Sequence, residues 1–260
     1  MFGSCCVKSN KKNKFSTYQQ LLQSLRASGL ESSQLILGYD FSASNRWTGE
    51  KTYHCNMHDI QQLSETPYEK ITRLMIPLVQ QFDEDGNIPC YVFGDTLTKN
   101  SKVRPLIQTS SDPFITGMDN VLFAYRQNAP FIQQSGPTTL APLIREAIRM
   151  CQQTKEYHIL IVMTDGDITE PDFDGQAIID ASNYALSIVV VGLGDGPFTT
   201  LEKFDSKLKR RKFDNFNFFN FQAFKDKLNK TEVAEDIIAL EMLQEIPDQF
   251  EAIKALGYMR

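Results

Sequence analysis

The chain is poor in the residues that most often carry catalysis or covalent stapling. Its 260 residues include five cysteines, three histidines and one tryptophan. Cys5, Cys6, Cys55, Cys90 and Cys151 form no C-x-x-C motif, and an odd number cannot all pair. That excludes a disulfide framework or a structural zinc cluster and points to a reduced, intracellular compartment. Long apolar runs are missing too. The longest, around 158–163 and 186–194, fall far short of the ~20 residues a membrane-spanning helix needs. The opening MFGSCCVKSNKKNK has no apolar core of the secretory type. Nor is positive charge in excess: 27 basic against 32 acidic side chains leave a net charge of −5, which argues against nucleic acid as a partner.

What is present is ordinary globular composition, 42% hydrophobic and 23% charged. Residues 1–16 read as a flexible basic tail with Lys8, Lys11, Lys12 and Lys14. With no repeat and no break in composition, 17–257 read as one domain. Leu21, Leu22 and Leu25 predict a first helix from Tyr18 that stops near Gly29. QLILGYDF (34–41) fits a buried strand and 42–49 a polar loop. Ile71, Leu74, Met75, Leu78 and Val79 then predict a helix over 67–81 that Pro77 kinks or shortens at its end. Strands follow at 88–94, 157–164 (YHILIVMT), 186–192 (LSIVVVG) and 216–221 (FNFFNF), whose phenylalanines read as sheet core. Helices follow at 118–125, 140–151, 173–184 and 231–245, the last with Val233, Ile237, Leu240 and Leu243 on one side. Strands apolar on both faces, alternating with helices, imply an α/β, three-layer, doubly wound and mostly parallel sheet with helices on both faces.

In such a sheet, ligands bind beyond the carboxyl ends of the strands. Three segments fall there: Asp40-Phe41-Ser42-Ala43-Ser44, Ser135-Gly136-Pro137-Thr138-Thr139, and Thr164-Asp165-Gly166-Asp167. In extended chain, Asp40, Ser42 and Ser44 would present oxygens to one side. Each segment alone reads as a turn or helix cap. Together they gather hard oxygen donors, which suit Mg²⁺ or Mn²⁺.

Enzymatic readings find little support. His158 sits in a buried strand, as a hydrogen-bonded core histidine. His54 and His58 flank Cys55 with no helix signal and no second ligand set, so a surface role is expected. GLGDGP (192–197) approximates a dinucleotide fingerprint, but Pro197 replaces the third glycine, which leaves turn glycines. Metal-assisted hydrolysis would need a base beside the metal, for which Asp167 is the one candidate. The expectation is a protein that is not an enzyme.

The D-x-S-x-S, Thr and T-D-G triplet resembles the metal-ion-dependent adhesion site of von Willebrand factor A (vWA) domains. It is most similar to the copine branch and to the copine-type domain of plant RING ubiquitin ligases. DFSASNRWTGEKTYH (40–54), PYEKIT (67–72), FDEDGNIPCYVFGD (82–95), SGPTTLAPLI (135–144), SIVVVGLGDGPF (187–198), FDNFNFFNF (213–221) and EIPDQF (245–250) carry the resemblance, in order along most of the chain. It implies a six-stranded sheet with one antiparallel edge strand. It also implies that Ser42, Ser44 and Thr138 bind the metal through hydroxyls, while Asp40 and Asp165 act mostly through water. The open position would go to an Asp or Glu of a protein partner, and Trp47 and Asp167 become candidate partner contacts. Trp47 equally fits a packed loop anchor.

Copine lipid-binding domains would need on the order of two hundred further residues. A RING needs zinc ligands, and no Cys follows Cys151 and no His follows His158. Neither is expected here, which leaves a substrate-recruiting role beside a separate ubiquitin ligase as an alternative. Phe2 stands where N-myristoylation needs glycine. Membrane contact is expected only through the tail, by S-acylation of Cys5 and Cys6, against the plainer reading of a solvated basic segment. The expected location is cytoplasmic, with the nucleus and a peripheral membrane site as alternatives.

Overall fold

The computed structural model describes residues 15–30, 32–83, 85–228 and 234–259. The expected tail residues 1–14, with Cys5 and Cys6, lie outside them. Five strands form a parallel sheet: β1 (Gln34–Asp40), β2 (Asn87–Phe93), β5 (His158–Thr164), β6 (Leu186–Gly192) and β7 (Phe216–Asn220). The outer edge of β2 pairs antiparallel with two short strands, β4 (Phe114–Thr116) at its start and β3 (Arg104–Pro105) at its end. The order is β3-β2-β1-β5-β6-β7, with β4 off this path. This is the three-layer α/β architecture expected from the sequence. The sheet carries seven strands rather than six, because two short pieces share one edge.

Alternation along the strands sorts their side chains into two cores. Leu35, Leu37 and Tyr39 of β1, Ile159, Ile161 and Met163 of β5, and Val189 and Val191 of β6 face one side. Ile36, Leu160, Val162, Ile188 and Val190 face the other, with Phe216 and Phe218 of β7. The first core is covered by α1 (Tyr18–Ala27), α2 (Pro67–Leu74), α3 (Ile76–Phe82), α4 (Met118–Asn128), α9 (Glu235–Leu243) and α10 (Ile246–Leu256). The second is covered by α5 (Ala141–Thr154), α6 (Pro171–Ala181) and α7 (Thr199–Lys207). A short helix α8 (Phe221–Lys227) follows β7.

Three helical expectations change. The single helix over 67–81 is two helices. α2 opens with a Thr66–Glu69 capping box and Pro67 at its first turn, and it closes at Met75. Pro77 then falls in the first turn of α3, where its missing N–H breaks no bond. The expected one-sided helix over 231–245 is α9, which buries Ile238, Ala239, Leu240, Met242 and Leu243 while Ile237 stays 40% exposed. It touches α1, α2, β6 and β7, so its buried arc is wider than one stripe and turned away from Ile237. Val233 lies outside the described residues. Beyond it stands α10, which the sequence pattern does not separate, with Pro247 in its first turn and Gly257 capping it in the left-handed conformation.

His158 is fully buried at the start of β5. Its Nδ1–H donates to the Glu156 carbonyl (3.0 Å), and its Nε2 has no partner among the described residues. Burial therefore lowers its pKa, because a second ring proton would have no acceptor. The unfolded chain binds that proton near pH 6.5 and the folded chain binds it less readily, so stability falls as pH drops below that point. The expected contribution is up to about 1.4 kcal/mol per pH unit. Urea titrations between pH 7.5 and 5 check this: His158→Gln should reduce the acid slope, by at most one proton's worth, and an unchanged slope would contradict it.

Candidate metal centre

The three expected segments meet beyond the carboxyl ends of β1 and β5. Asp40 ends β1 and is fully buried. Its Oδ1 accepts from the Ser42 backbone N–H (2.8 Å) and its Oδ2 from the Thr164 hydroxyl (2.6 Å). Ser44 does not arrive by extended alternation, as the sequence suggested. The chain stays extended through Ser42 and then turns into a 3₁₀ segment, Ala43–Arg46. That turn brings the Ser44 hydroxyl to 2.9 Å from that of Ser42. Ser42 Oγ donates to Asp165 Oδ1 (3.0 Å), which leaves Ser44 as the donor to Ser42. Thr48 Oγ1 donates to Asp165 Oδ2 (2.6 Å). Asp165, like Asp40, is fully buried.

The third segment is fixed at both ends. Ser135 pairs with Ser42, its carbonyl accepting from Ala43 N (2.5 Å) and its N–H donating to the Phe41 carbonyl (3.2 Å). The Thr138 carbonyl accepts from the N–H (2.9 Å) and hydroxyl (2.8 Å) of Thr169, beyond the Asp165 loop. Asp174 on α6 holds the start of α5, its Oδ1 accepting from Thr139 Oγ1 and the N–H groups of Leu140 and Ala141. The Thr138 hydroxyl has no partner among the described residues.

Burial first, and the facing Asp165 second, push the Asp40 carboxyl well above the usual carboxylate range, against the hydrogen bonds from Thr164 and Ser42. Two buried carboxylates with only hydroxyl and amide donors around them suit a cation, which would reverse that penalty. Each serine hydroxyl gives its proton to an acceptor and keeps lone pairs for an ion. Among the described residues no cluster of three or more His, Cys, Asp or Glu exists. An ion here would be held by hydroxyls as much as by carboxylates, and the donor set fits Mg²⁺ or Mn²⁺.

Several residues of this centre were not legible as such. His58, expected at the surface, is buried and stacked between Phe41 (ring centroids 3.9 Å apart) and Tyr68 (4.1 Å). Burial pushes its pKa down to about 3, so the ring is neutral. A carbonyl can only accept, so Nε2–H donates to the Asp40 carbonyl (2.8 Å) and Nδ1 accepts from the Tyr125 hydroxyl (2.7 Å). Asn45, also fully buried, donates to the same carbonyl (3.1 Å) and accepts from the Tyr68 hydroxyl (2.7 Å). Trp47 is 57% exposed beside the centre. Asp167 caps α7, accepting from the N–H groups of Thr200 (2.9 Å) and Leu201 (3.3 Å), which engages its carboxylate within the fold. His54 is exposed.

GLGDGP has a structural role here. Asp195 N–H donates to the Thr48 carbonyl (2.6 Å), and its carboxylate accepts from Lys51 N–H (2.9 Å) and the Thr52 hydroxyl (2.5 Å). The segment thus clamps the loop that carries Thr48. Gly94, at φ +76°, lets the end of β2 approach: a Cβ there would lie 2.9 Å from Asp40 Oδ1 and 3.0 Å from Ser42 N.

Residues 56–260 match the family model described as Copine, and the chain belongs to the copine family. The E3 ubiquitin-protein ligase RGLG3 of Arabidopsis thaliana is 38% identical over 271 aligned positions, covering 96% of this chain and 73% of its own length. RGLG4 of the same plant is 39% identical, covering 92% of this chain and 63% of its own. Copine family protein 2 of Caenorhabditis elegans is 37% identical over 95% of this chain, which spans 3% of that protein. The chain is thus a fraction of the length of these relatives. Among solved structures, a von Willebrand factor type A protein from Catenulispora acidiphila has a TM-score of 0.48 at 12% identity, over 84% of this chain and 43% of its own. Manganese-loaded TRAP of Plasmodium vivax has 0.48 at 14%, over 75% and 70%. At those scores the likeness says nothing of what this chain binds.

The close approach at Gly194 makes a test of the clamp. A Cβ there would meet the Asp165 carbonyl at 2.3 Å and the Thr48 carbonyl at 3.0 Å, whereas one at Gly166 meets nothing within 4 Å. Gly194→Ala should therefore cost about 1–3 kcal/mol of unfolding free energy, and Gly166→Ala less than about 0.5 kcal/mol. Chemical denaturation of both variants checks the contrast, and equal costs would contradict it.

Proposed function

We propose that this copine-family chain is a non-catalytic, vWA-type protein-binding module that uses a divalent ion at the Asp40–Asp165 centre to capture an acidic residue of a partner. The observation that carries the reading is a pair of buried carboxylates at the carboxyl edge of the sheet, Asp165 accepting from the Ser42 and Thr48 hydroxyls and Asp40 from the Ser42 N–H and the Thr164 hydroxyl, with the Ser44 hydroxyl against that of Ser42. Ser42, Ser44 and Thr138 would hold Mg²⁺ or Mn²⁺ through neutral oxygens, with Asp40 and Asp165 completing the set. When bound, the ion would supply Lewis acidity toward an external Asp or Glu. The protein's own residues do the rest. His58 and Asn45 fix the Asp40 backbone, Asp195 holds the loop bearing Thr48, and Asp174 holds the segment after Thr138.

A second reading is favoured by the two Arabidopsis relatives named as ubiquitin ligases. In it, the same edge recruits substrates to ubiquitin transfer, beside a separate ligase. Affinity capture with and without Mg²⁺ separates the readings: metal-dependent recovery of a RING protein favours the second.

Calorimetric titration of Mg²⁺ and Mn²⁺ into the full chain tests the centre, with glutamate as a stand-in for the partner's side chain. Saturable binding, weakened at least roughly tenfold by Asp165→Ala and by Ser42→Ala and strengthened by glutamate, is the expected result. No binding at millimolar metal with glutamate present would overturn it.

A further inference from the structure

Among the described residues the acidic chain carries a dense run of cations at the other end of the sheet from the candidate metal centre. Lys207, Lys209, Arg210, Arg211 and Lys212 fall within KLKRRK, the last residue of α7 and the start of its connection to β7. Strands β1, β5, β6 and β7 run parallel, and the metal loops follow the ends of β1 and β5. The basic loop precedes β7, so it sits at the edge where the strands begin. A seven-residue strand separates the two edges by roughly 20 Å.

The loop is held in one shape while its charges face solvent. Arg211 is its anchor: only 9% of its side chain is exposed, it pairs with Asp214 (2.5 Å), and its Nε–H donates to the Leu208 carbonyl (3.2 Å). Lys212 N–H donates to Ser182 Oγ (2.9 Å), which ties the loop to the end of α6. Lys207, Lys209, Arg210 and Lys212 are exposed. The three ammonium groups have no partner among the described residues, and Arg210 bonds only the neutral Gln176 amide (2.8 Å). Of the acids close in sequence, Asp214 pairs with Arg211 and Asp205 accepts from the Phe218 N–H (3.3 Å).

We propose that this loop docks the protein on an anionic phospholipid surface, with the metal edge facing away from the membrane. A peptide-reading groove on another protein would need the segment drawn out straight, which breaks the Arg211 and Lys212 anchors. A nucleic acid would be gripped by a helix, strand or aromatic platform beside the cations, and Phe213, the aromatic next to them, is buried. A rigid cluster of unpaired cations needs only a plane of negative headgroups. Each cation near such a surface raises partitioning about fivefold, so four give roughly several-hundred-fold preference over a neutral bilayer, lost at high salt.

The test is co-sedimentation of the full chain with phosphatidylcholine vesicles, with and without phosphatidylserine at about 30 mol%, within the range of an anionic leaflet, at low and high salt. The expected result is salt-sensitive binding to the anionic vesicles alone. It should fall roughly a hundredfold or more in K207Q/K209Q/R210Q/K212Q and stay unchanged in K99Q/K102Q on the loop after β2. Thermal melts establish that both variants fold. Retained binding in the quadruple variant, equal binding to neutral vesicles, displacement by soluble glycerophosphoserine at millimolar concentration, or tighter binding to an oligonucleotide would each overturn the proposal.

Discussion

Everything at the carboxyl edge of the sheet depends on a carboxylate that burial disfavours. Asp40 stands at the end of a central strand with no exposed surface and faces a second buried carboxylate. Left without compensation, such a group would take up a proton or drive the loop apart. A backbone N–H and a threonine hydroxyl oppose that penalty without cancelling it, and the Asp40 carbonyl is pinned by a neutral histidine and an asparagine. The stacked Phe41, His58 and Tyr68 rings keep water off that carbonyl, and the same burial keeps His58 uncharged. A positive charge on His58 would leave its Nδ1 without an acceptor role toward Tyr125, so the ring's neutrality and the position of Asp40 are one constraint.

That constraint explains why the surrounding loops are so closely fitted. Gly94 and Gly194 admit backbone where a methyl group would collide with Asp40, Thr48 or Asp165. Asp167, Asp174 and Asp195 each spend a carboxylate on backbone N–H groups of a neighbouring segment. Acidic side chains thus serve two purposes at this edge. Those three fix the loops, while Asp40 and Asp165 are left facing one another with hydroxyls between them. The division follows from what each can reach, since helix starts and loop amides supply donors to a carboxylate and a pair of buried carboxylates supplies none to itself.

The sheet was legible because its strands are apolar on both faces, a pattern that fits a covered parallel sheet and little else. The segments that carry Asp40, Ser42, Ser44 and Asp165 were legible as neighbours because strand ends in such a sheet converge, whereas Thr138 was singled out by the family resemblance alone. His58 was not legible, since its ring contacts Phe41 and Tyr68 and its partner Tyr125 comes from α4. No local pattern in YHCNMHDI announces a burial that three distant elements create. The turn at Ala43–Arg46 hid Ser44's route for a related reason: period-two reasoning holds only while the chain stays extended. The buried arc of α9 was misjudged because helical spacing gives a stripe, whereas contacts with helices and strands on more than one side widen it.

The choice of hydroxyls over further carboxylates bears on how the proposed metal and partner would depend on one another. Asp165 already accepts protons from Ser42 and Thr48, and Asp40 from Ser42 N–H and Thr164, so part of their charge is spread over donors before any ion arrives. A divalent ion met mainly by neutral oxygens is incompletely neutralised, holds less tightly than in an all-carboxylate cage, and attracts one more anion. Linkage then requires reciprocity: whatever factor the ion adds to the partner's affinity, the partner's carboxylate adds to the ion's. A centre that worked as proposed would be weak toward metal alone and strong only as a ternary assembly, which is the behaviour a reversible interaction module needs and a structural metal site does not.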